Sequence, residues 1–124
     1  MRVLIDTHVW LWWLDDSPLS EPVTIALRDP HTDVVVSAAS VWEVSIKRAL
    51  GKLDVTAGLE SELNDDGFSS LPITVTHASV AGALPLHHGD PFDRMLVAQA
   101  QVEDLTLVTR DPALQAYDVP ILVA

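Results

Sequence analysis

Arg2-Val3-Leu4-Ile5-Asp6-Thr7-His8-Val9-Trp10-Leu11-Trp12-Trp13-Leu14 opens the chain and decides its architecture. Arg2 to Ile5 is a short apolar run without polar alternation, as expected of a strand buried on both faces. Asp6 and Thr7 then offer helix caps, and the apolar run from Val9 to Leu14 stops at Asp15-Asp16-Ser17-Pro18. A second helix is predicted over Glu21 to Arg28, and Val34-Val35-Val36 reads as the second buried strand. Ser40 opens an amphipathic helix with Trp42, Ile46, Ala49, Leu50 and Leu53 on one stripe. A further helix is expected between Gly58 and Asp66, bounded by Gly67. Ile73-Thr74-Val75 reads as the third strand, with a short helix from His77 to Leu84 behind it. A loop, His87-His88-Gly89-Asp90-Pro91, runs into a helix from Pro91 to Val102, and Leu105 to Val108 is the fourth strand. Pro120 to Val123 is the last. Strands alternating with helices imply an α/β sandwich around a parallel sheet.

Composition narrows the class. The 124 residues suggest one domain over positions 1–124, large enough to bury a core. Hydrophobic residues make up 48% and fall in short runs broken by Pro, Gly, Asp and Ser, a globular pattern. No segment approaches the roughly 18 consecutive apolar residues of a membrane span, and the N-terminus does not read as a signal peptide. The absence of Cys excludes disulfides and thiolate metal sites and fits a cytoplasmic protein. The net charge of −11 has the wrong sign for RNA binding through a broad basic face. It favours a basic protein partner.

Four acids stand out: Asp6, Glu43, Asp93 and Asp111. Each has an ordinary explanation as part of a helix start. Ser40-Val41-Trp42-Glu43 has the form of a capping box. Asp90 can cap the helix that begins at Pro91, with Asp93 beside its positive end. Asp111 before Pro112, and Asp6, can be caps as well. Taken together, however, the four follow or lead into strands in one consistent sense. In an open parallel sheet the carboxyl ends of strands and the starts of the next helices share one edge. Right-handed crossovers leave little freedom to send them elsewhere. Converging carboxylates repel, and a hard divalent cation such as Mg²⁺ or Mn²⁺ relieves that repulsion. Such an ion polarises phosphate and activates water for in-line attack on phosphorus.

With these residues in place the chain resembles a PIN-domain ribonuclease, and more narrowly a VapC-type toxin of a type II toxin–antitoxin pair. The likeness covers essentially the whole length. It is carried by Leu4-Ile5-Asp6-Thr7-His8-Val9-Trp10-Leu11-Trp12, Ser37-Ala38-Ala39-Ser40-Val41-Trp42-Glu43, His88-Gly89-Asp90-Pro91-Phe92-Asp93-Arg94 and Val108-Thr109-Arg110-Asp111. The resemblance implies a PIN-like three-layer α/β/α sandwich around a mainly parallel sheet. It implies a Mg²⁺-dependent endoribonuclease that cuts structured RNA, forms a homodimer and is silenced by a cognate VapB-type antitoxin. It places the acidic residues of the family on Asp6, Glu43, Asp93 and Asp111, with Asp6 and Asp93 as the firmest metal ligands. Asp90 is an extra acid in this motif and reads mainly as a cap.

Five of the seven basic residues, Lys47, Arg48, Lys52, Arg94 and Arg110, lie in or near these motifs. Arg94 and Arg110 are the candidates for contact with a phosphate backbone, while Glu43 and Lys47 form an ordinary i,i+4 pair. Trp42 is expected in the core, and Trp12 and Trp13, being neighbours, leave one ring for a protein contact. His87-His88 reads as part of a loop rather than a metal site, His8 as a residue near Asp6, and Thr109 and Ser37 as supporting hydroxyls. The competing reading is a non-catalytic PIN-like module that captures a basic protein partner, which the charge supports and the intact acidic quartet opposes. A response-regulator-like phosphoacceptor ranks below both, because no Lys follows Lys52.

Overall fold

In the computed structural model, described over residues 1–53 and 58–124, five parallel strands form one sheet in the order β3-β2-β1-β4-β5. The strands are β1 (Arg2–Ile5), β2 (Asp33–Ser37), β3 (Ser69–Leu71), β4 (Thr106–Thr109) and β5 (Ile121–Val123). The helices are α1 (Thr7–Leu14), α2 (Glu21–Arg28), α3 (Ala38–Ala49), α4 (Leu59–Asp66), α5 (Val75–Ala83) and α6 (Pro91–Glu103). Residues 54–57 fall outside the described part. The central strand is β1, with Leu4 opposite Val35 of β2 and Leu107 of β4. Its side chains alternate between two cores. Val3 and Ile5 join Val9, Trp10, Val23, Leu27, Leu59 and Leu63 from α1, α2 and α4. Leu4 joins Leu96, Val97 and Ala100 of α6 on the other face. An unbroken apolar strand is what two covered faces require. The expected α/β/α layering is therefore the observed one.

The sheet winds outward from β1 through β2 to β3 and then returns to the other side of β1 for β4 and β5. The chain thus leaves β1 and β4, which are neighbours, in different directions beyond their carboxyl ends. That divergence opens a crevice at the sheet edge.

Two sequence expectations need correction. The third strand is Ser69–Leu71, not Ile73–Val75. Thr74 instead caps α5: its hydroxyl accepts from His77 N, while its own N–H donates to His77 Nδ1 at 3.0 Å. This reciprocal box overrides the β-branched preference of the segment. Val75 is consequently 89% exposed, whereas the true strand is a short polar edge with little apolar burial to announce it.

The second correction concerns α3. It begins at Ala38, capped by the Ser37 hydroxyl, which accepts from Ala39 N at 3.0 Å. Ser40 is therefore inside the helix, where its hydroxyl meets that of Thr7 at 2.9 Å. The buried stripe is Ala39, Ser40, Glu43 and Val44. Trp42, Ile46, Ala49 and Leu50, expected to face the core, are exposed, and only Leu53 of that set packs against it. Trp42 lies edge-on to Phe92 at 5.3 Å between ring centres. Placing a carboxylate inward and an indole outward inverts the usual preference, and the inversion serves the crevice.

Candidate metal centre

Asp6 stands at the carboxyl end of β1 as the N-cap of α1, its Oδ1 accepting from Val9 N at 2.8 Å. The side chain is 4% exposed, and burial pushes its carboxyl above the usual range. The hydroxyl of Thr109 at the end of β4 and the Val9 amide oppose that shift, as does nearby His8, while the charge of Asp111 adds to it. The Thr109 hydroxyl also accepts from Asp111 N at 3.1 Å, tying the two strand ends together. Asp6 is thus a helix cap, and Asp111, whose Oδ1 closes a turn by accepting from Ala113 N, is its neighbour across the crevice.

Asp93 enters from the first turn of α6, whose N-cap is Asp90. Burial, then the charge of Asp90, pushes the Asp93 carboxyl up to about 6; His88 opposes this, and the charges of Asp6 and Glu43 raise it further. Carboxylates from β1, α3 and α6 therefore act on one another within a partly desolvated space. Glu43 completes the group from α3. Its Oε2 lies 3.1 Å from Lys47 Nζ, but its buried Oε1 finds no hydrogen-bond partner among the described residues. A buried carboxylate oxygen without a donor is costly unless something positive reaches it.

Asp111 receives Ala113 N on Oδ1 at 2.9 Å and His88 Nε2 on Oδ2 at 2.9 Å. The same His88 nitrogen lies 3.3 Å from Asp93 Oδ2. One atom from each of His88, Asp93 and Asp111 falls within 4.8 Å of the others, close enough to share an ion. His88 is the residue that the sequence reading set aside. Its signal was its place two residues before the cap Asp90, in a loop that the fold bends across the crevice.

Of the four acids, Asp93 and Asp111 bring oxygens within 4.8 Å of one another, while Asp6 and Glu43 act on Asp93 through their charge. The donors are carboxylate oxygens, one is buried and unpaired, and two carboxyls sit above their usual range. Divalent ions of the Mg²⁺ or Mn²⁺ kind match such donors.

Arg94 and Arg110, the candidates for a phosphate contact, both bond to backbone carbonyls. Arg94 Nη1 donates to Pro85 O at 3.1 Å and His88 O at 3.4 Å, and Nη2 donates to Ala81 O and Leu84 O at 3.1 Å. It staples the loop between α5 and α6. Arg110 donates to Ala124 O and Pro18 O at 3.1 and 3.2 Å, and its guanidinium covers the Trp12 ring at 4.1 Å. Both cations serve the scaffold. Arg94→Lys is expected to lower stability by about 2 kcal/mol, since one ammonium cannot satisfy carbonyls arranged for a planar fork. Urea denaturation measures it. A variant of unchanged stability with weakened RNA binding would return Arg94 to the phosphate role.

Trp13 is half-buried against Phe68 and donates to Asp66 Oδ2 at 3.2 Å, while Trp12 is held between His8 and Arg110. Both rings therefore have intramolecular partners.

Comparison with known proteins identifies the family. The chain is 31% identical over 123 residues to Ribonuclease VapC22 of Mycobacterium tuberculosis, covering 95% of this chain and 93% of that one. FitAcB from Neisseria gonorrhoeae superposes with a TM-score of 0.68 at 25% identity, over 98% of this chain and 96% of the other. VapBC2 from Rickettsia felis, solved with a DNA fragment from its promoter, gives 0.70 at 12% identity, over 100% and 99%. That last likeness concerns the fold alone. The PIN domain family matches residues 3–120, and with a VapC ribonuclease alike across nearly its whole length, the chain belongs to the PIN-domain family in its VapC branch.

Proposed function

We propose that this protein is a metal-dependent endoribonuclease acting as the toxin of a type II toxin–antitoxin pair in the cytoplasm. The observation that carries the reading is the meeting of Asp93 and Asp111 oxygens within 4.8 Å, with Asp6 and Glu43 acting on Asp93 by charge and a buried Glu43 oxygen left unpaired. Asp6 and Asp93 hold the cation, Mg²⁺ or Mn²⁺, with Asp111 and Glu43 completing the site directly or through water. When bound, the cation stabilises charge on the scissile phosphate and acidifies water for in-line attack.

The chain's own residues set the stage for that chemistry. The α1 N-terminus and the Thr109 hydroxyl orient Asp6, while Asp90, which receives Phe92 N at 2.8 Å, starts the helix that presents Asp93. Lys47 holds one Glu43 oxygen and leaves the other toward the crevice. No side chain need attack phosphorus itself.

A VapB-type antitoxin is the proposed partner. A toxin–antitoxin complex from Klebsiella pneumoniae and a member of the VapBC family of toxin–antitoxin systems from Mycobacterium tuberculosis share this fold. The net charge of −11 suits a basic segment that enters the acidic crevice when no metal is there. Trp42, Ile46 and Leu50 add an exposed apolar strip on α3 that a protein contact, with the antitoxin or a second copy of this chain, can cover. Among the described residues no helix is long and apolar enough to cross a membrane.

The same charge favours a second reading: a non-catalytic module that captures a basic partner. Incubating purified protein with RNA in Mg²⁺ or in EDTA separates them. The nuclease reading expects cleavage in Mg²⁺ and none in EDTA. Intact RNA in both, from protein that still binds the antitoxin, selects the binding module.

A further inference from the structure

His88 lies in the loop between α5 and α6, and its backbone is pinned on both sides. Its N–H donates to the Tyr117 hydroxyl at 3.0 Å, and its carbonyl accepts from Arg94 Nη1 at 3.4 Å. Tyr117 is buried and passes its own hydrogen to Pro85 O at 2.7 Å. The ring therefore has little freedom to leave the crevice.

Hydrogen bonding then fixes which ring nitrogen carries the proton. Asp90 N lies 3.0 Å from His88 Nδ1 and, as a backbone amide, can only donate. Nδ1 is thus an acceptor and bears no hydrogen. The ring proton must be on Nε2, which donates to Asp111 Oδ2 at 2.9 Å and lies 3.3 Å from Asp93 Oδ2. The imidazole thus sits between a carboxylate after the end of β4 and one from the start of α6. In this state neither nitrogen has a free lone pair to offer a cation, although the ring lies close enough to be mistaken for a ligand.

We propose that His88 is a positioning residue. Its Nε2–H holds Asp111 beside Asp93 so that carboxylate oxygens of both can face one ion, and its Nδ1 ties that arrangement to the cap of α6. The inference rests on the metal-dependent reading above and adds a residue outside the acidic quartet. It also gives Arg94 and Tyr117 a purpose, since they hold the loop that carries the imidazole. A hydrogen-bonding partner of this type changes metal affinity by about 10–100-fold.

Two measurements test it on the full chain. In metal-free protein with ¹⁵N-labelled histidine, long-range proton–nitrogen correlation is expected to show a proton on His88 Nε2. A bare Nε2 overturns the proposal. This reading needs no variant, so it remains decisive should a substitution fail to fold. The second measurement titrates Mn²⁺ into wild type, His88→Ala and His88→Gln. Binding should weaken by about 10–100-fold in His88→Ala, while Gln, whose amide can donate from a similar place, returns it to within a few-fold of wild type. Spin-echo spectra of bound Mn²⁺ should lack a directly coordinated imidazole nitrogen. Such a nitrogen, if lost in His88→Gln, makes His88 a ligand and ends the positioning role. Wild-type affinity in His88→Ala defeats this inference alone, whereas wild type that binds no Mn²⁺ defeats the metal reading and the inference with it.

Discussion

Asp6→Asn is expected to lower Mg²⁺-dependent RNA cleavage by about 10³-fold or more while leaving the protein folded. The substitution changes one oxygen to an amide and keeps the shape. Asn still accepts from Val9 N as the cap of α1, a role for which Asn and Asp rank alike. What disappears is a buried negative charge, and removing one charge-stabilising group from a desolvated site costs about 10²–10³ even where no metal is involved. Loss of a metal ligand removes the ion's contribution too. The same variant should melt at a higher temperature than wild type in EDTA. Burial holds the Asp6 carboxyl above its ordinary range, so the folded state disfavours its ionised form near neutral pH. Asn ends that penalty. Activity lost together with stability would indicate a folding defect instead, and full activity would remove Asp6 from the site.

Much of this arrangement was legible because one rule places it. Once Arg2–Ile5 and the β4 segment are read as buried parallel strands, Asp6 and Asp111 must emerge at one edge, and the helix starts bring Glu43 and Asp93 there. What escaped reading was decided by competition between local preferences. Ile73-Thr74-Val75 has strand composition, yet Thr74 and His77 satisfy each other's backbone as a helix start, and Ser69–Leu71 pairs instead. Ser37 and Ser40 are both acceptable caps three residues apart. The choice of Ser37 turns α3 so that Glu43 points inward and Trp42 outward. Periodicity alone favours burying the tryptophan; only the demand for a carboxylate at the crevice favours the other register. The arginines and His88 were hidden for a different reason. Their hydrogen-bond acceptors lie from 6 to 92 positions away and are brought to them by tertiary contacts.

Asp93 provides the sharpest pH signature. Its carboxyl is raised from 3.8 to about 6, first by burial and then by the charge of Asp90, with Asp6 and Glu43 adding to it and His88 opposing. An acid whose folded value exceeds its unfolded one holds its proton more firmly in the native state. Between about pH 4 and pH 6 the folded protein therefore binds the extra proton, and its stability falls as pH rises through that window. Ordinary paired carboxylates give the opposite slope. A raise of this size corresponds to about 2–3 kcal/mol of stability lost by pH 7, to an order of magnitude. In EDTA, Asp93→Asn should lack this loss, so its advantage over wild type in urea denaturation should grow across the window and then level off. Mg²⁺ at pH 7 should return much of the stability to wild type by binding the ionised cluster, and little to the variant. Parallel pH profiles for the two proteins in EDTA would mean that Asp93 feels no such crowding. That result would also count against the ion, because a site whose acids do not strain against one another has no excess charge for a cation to relieve.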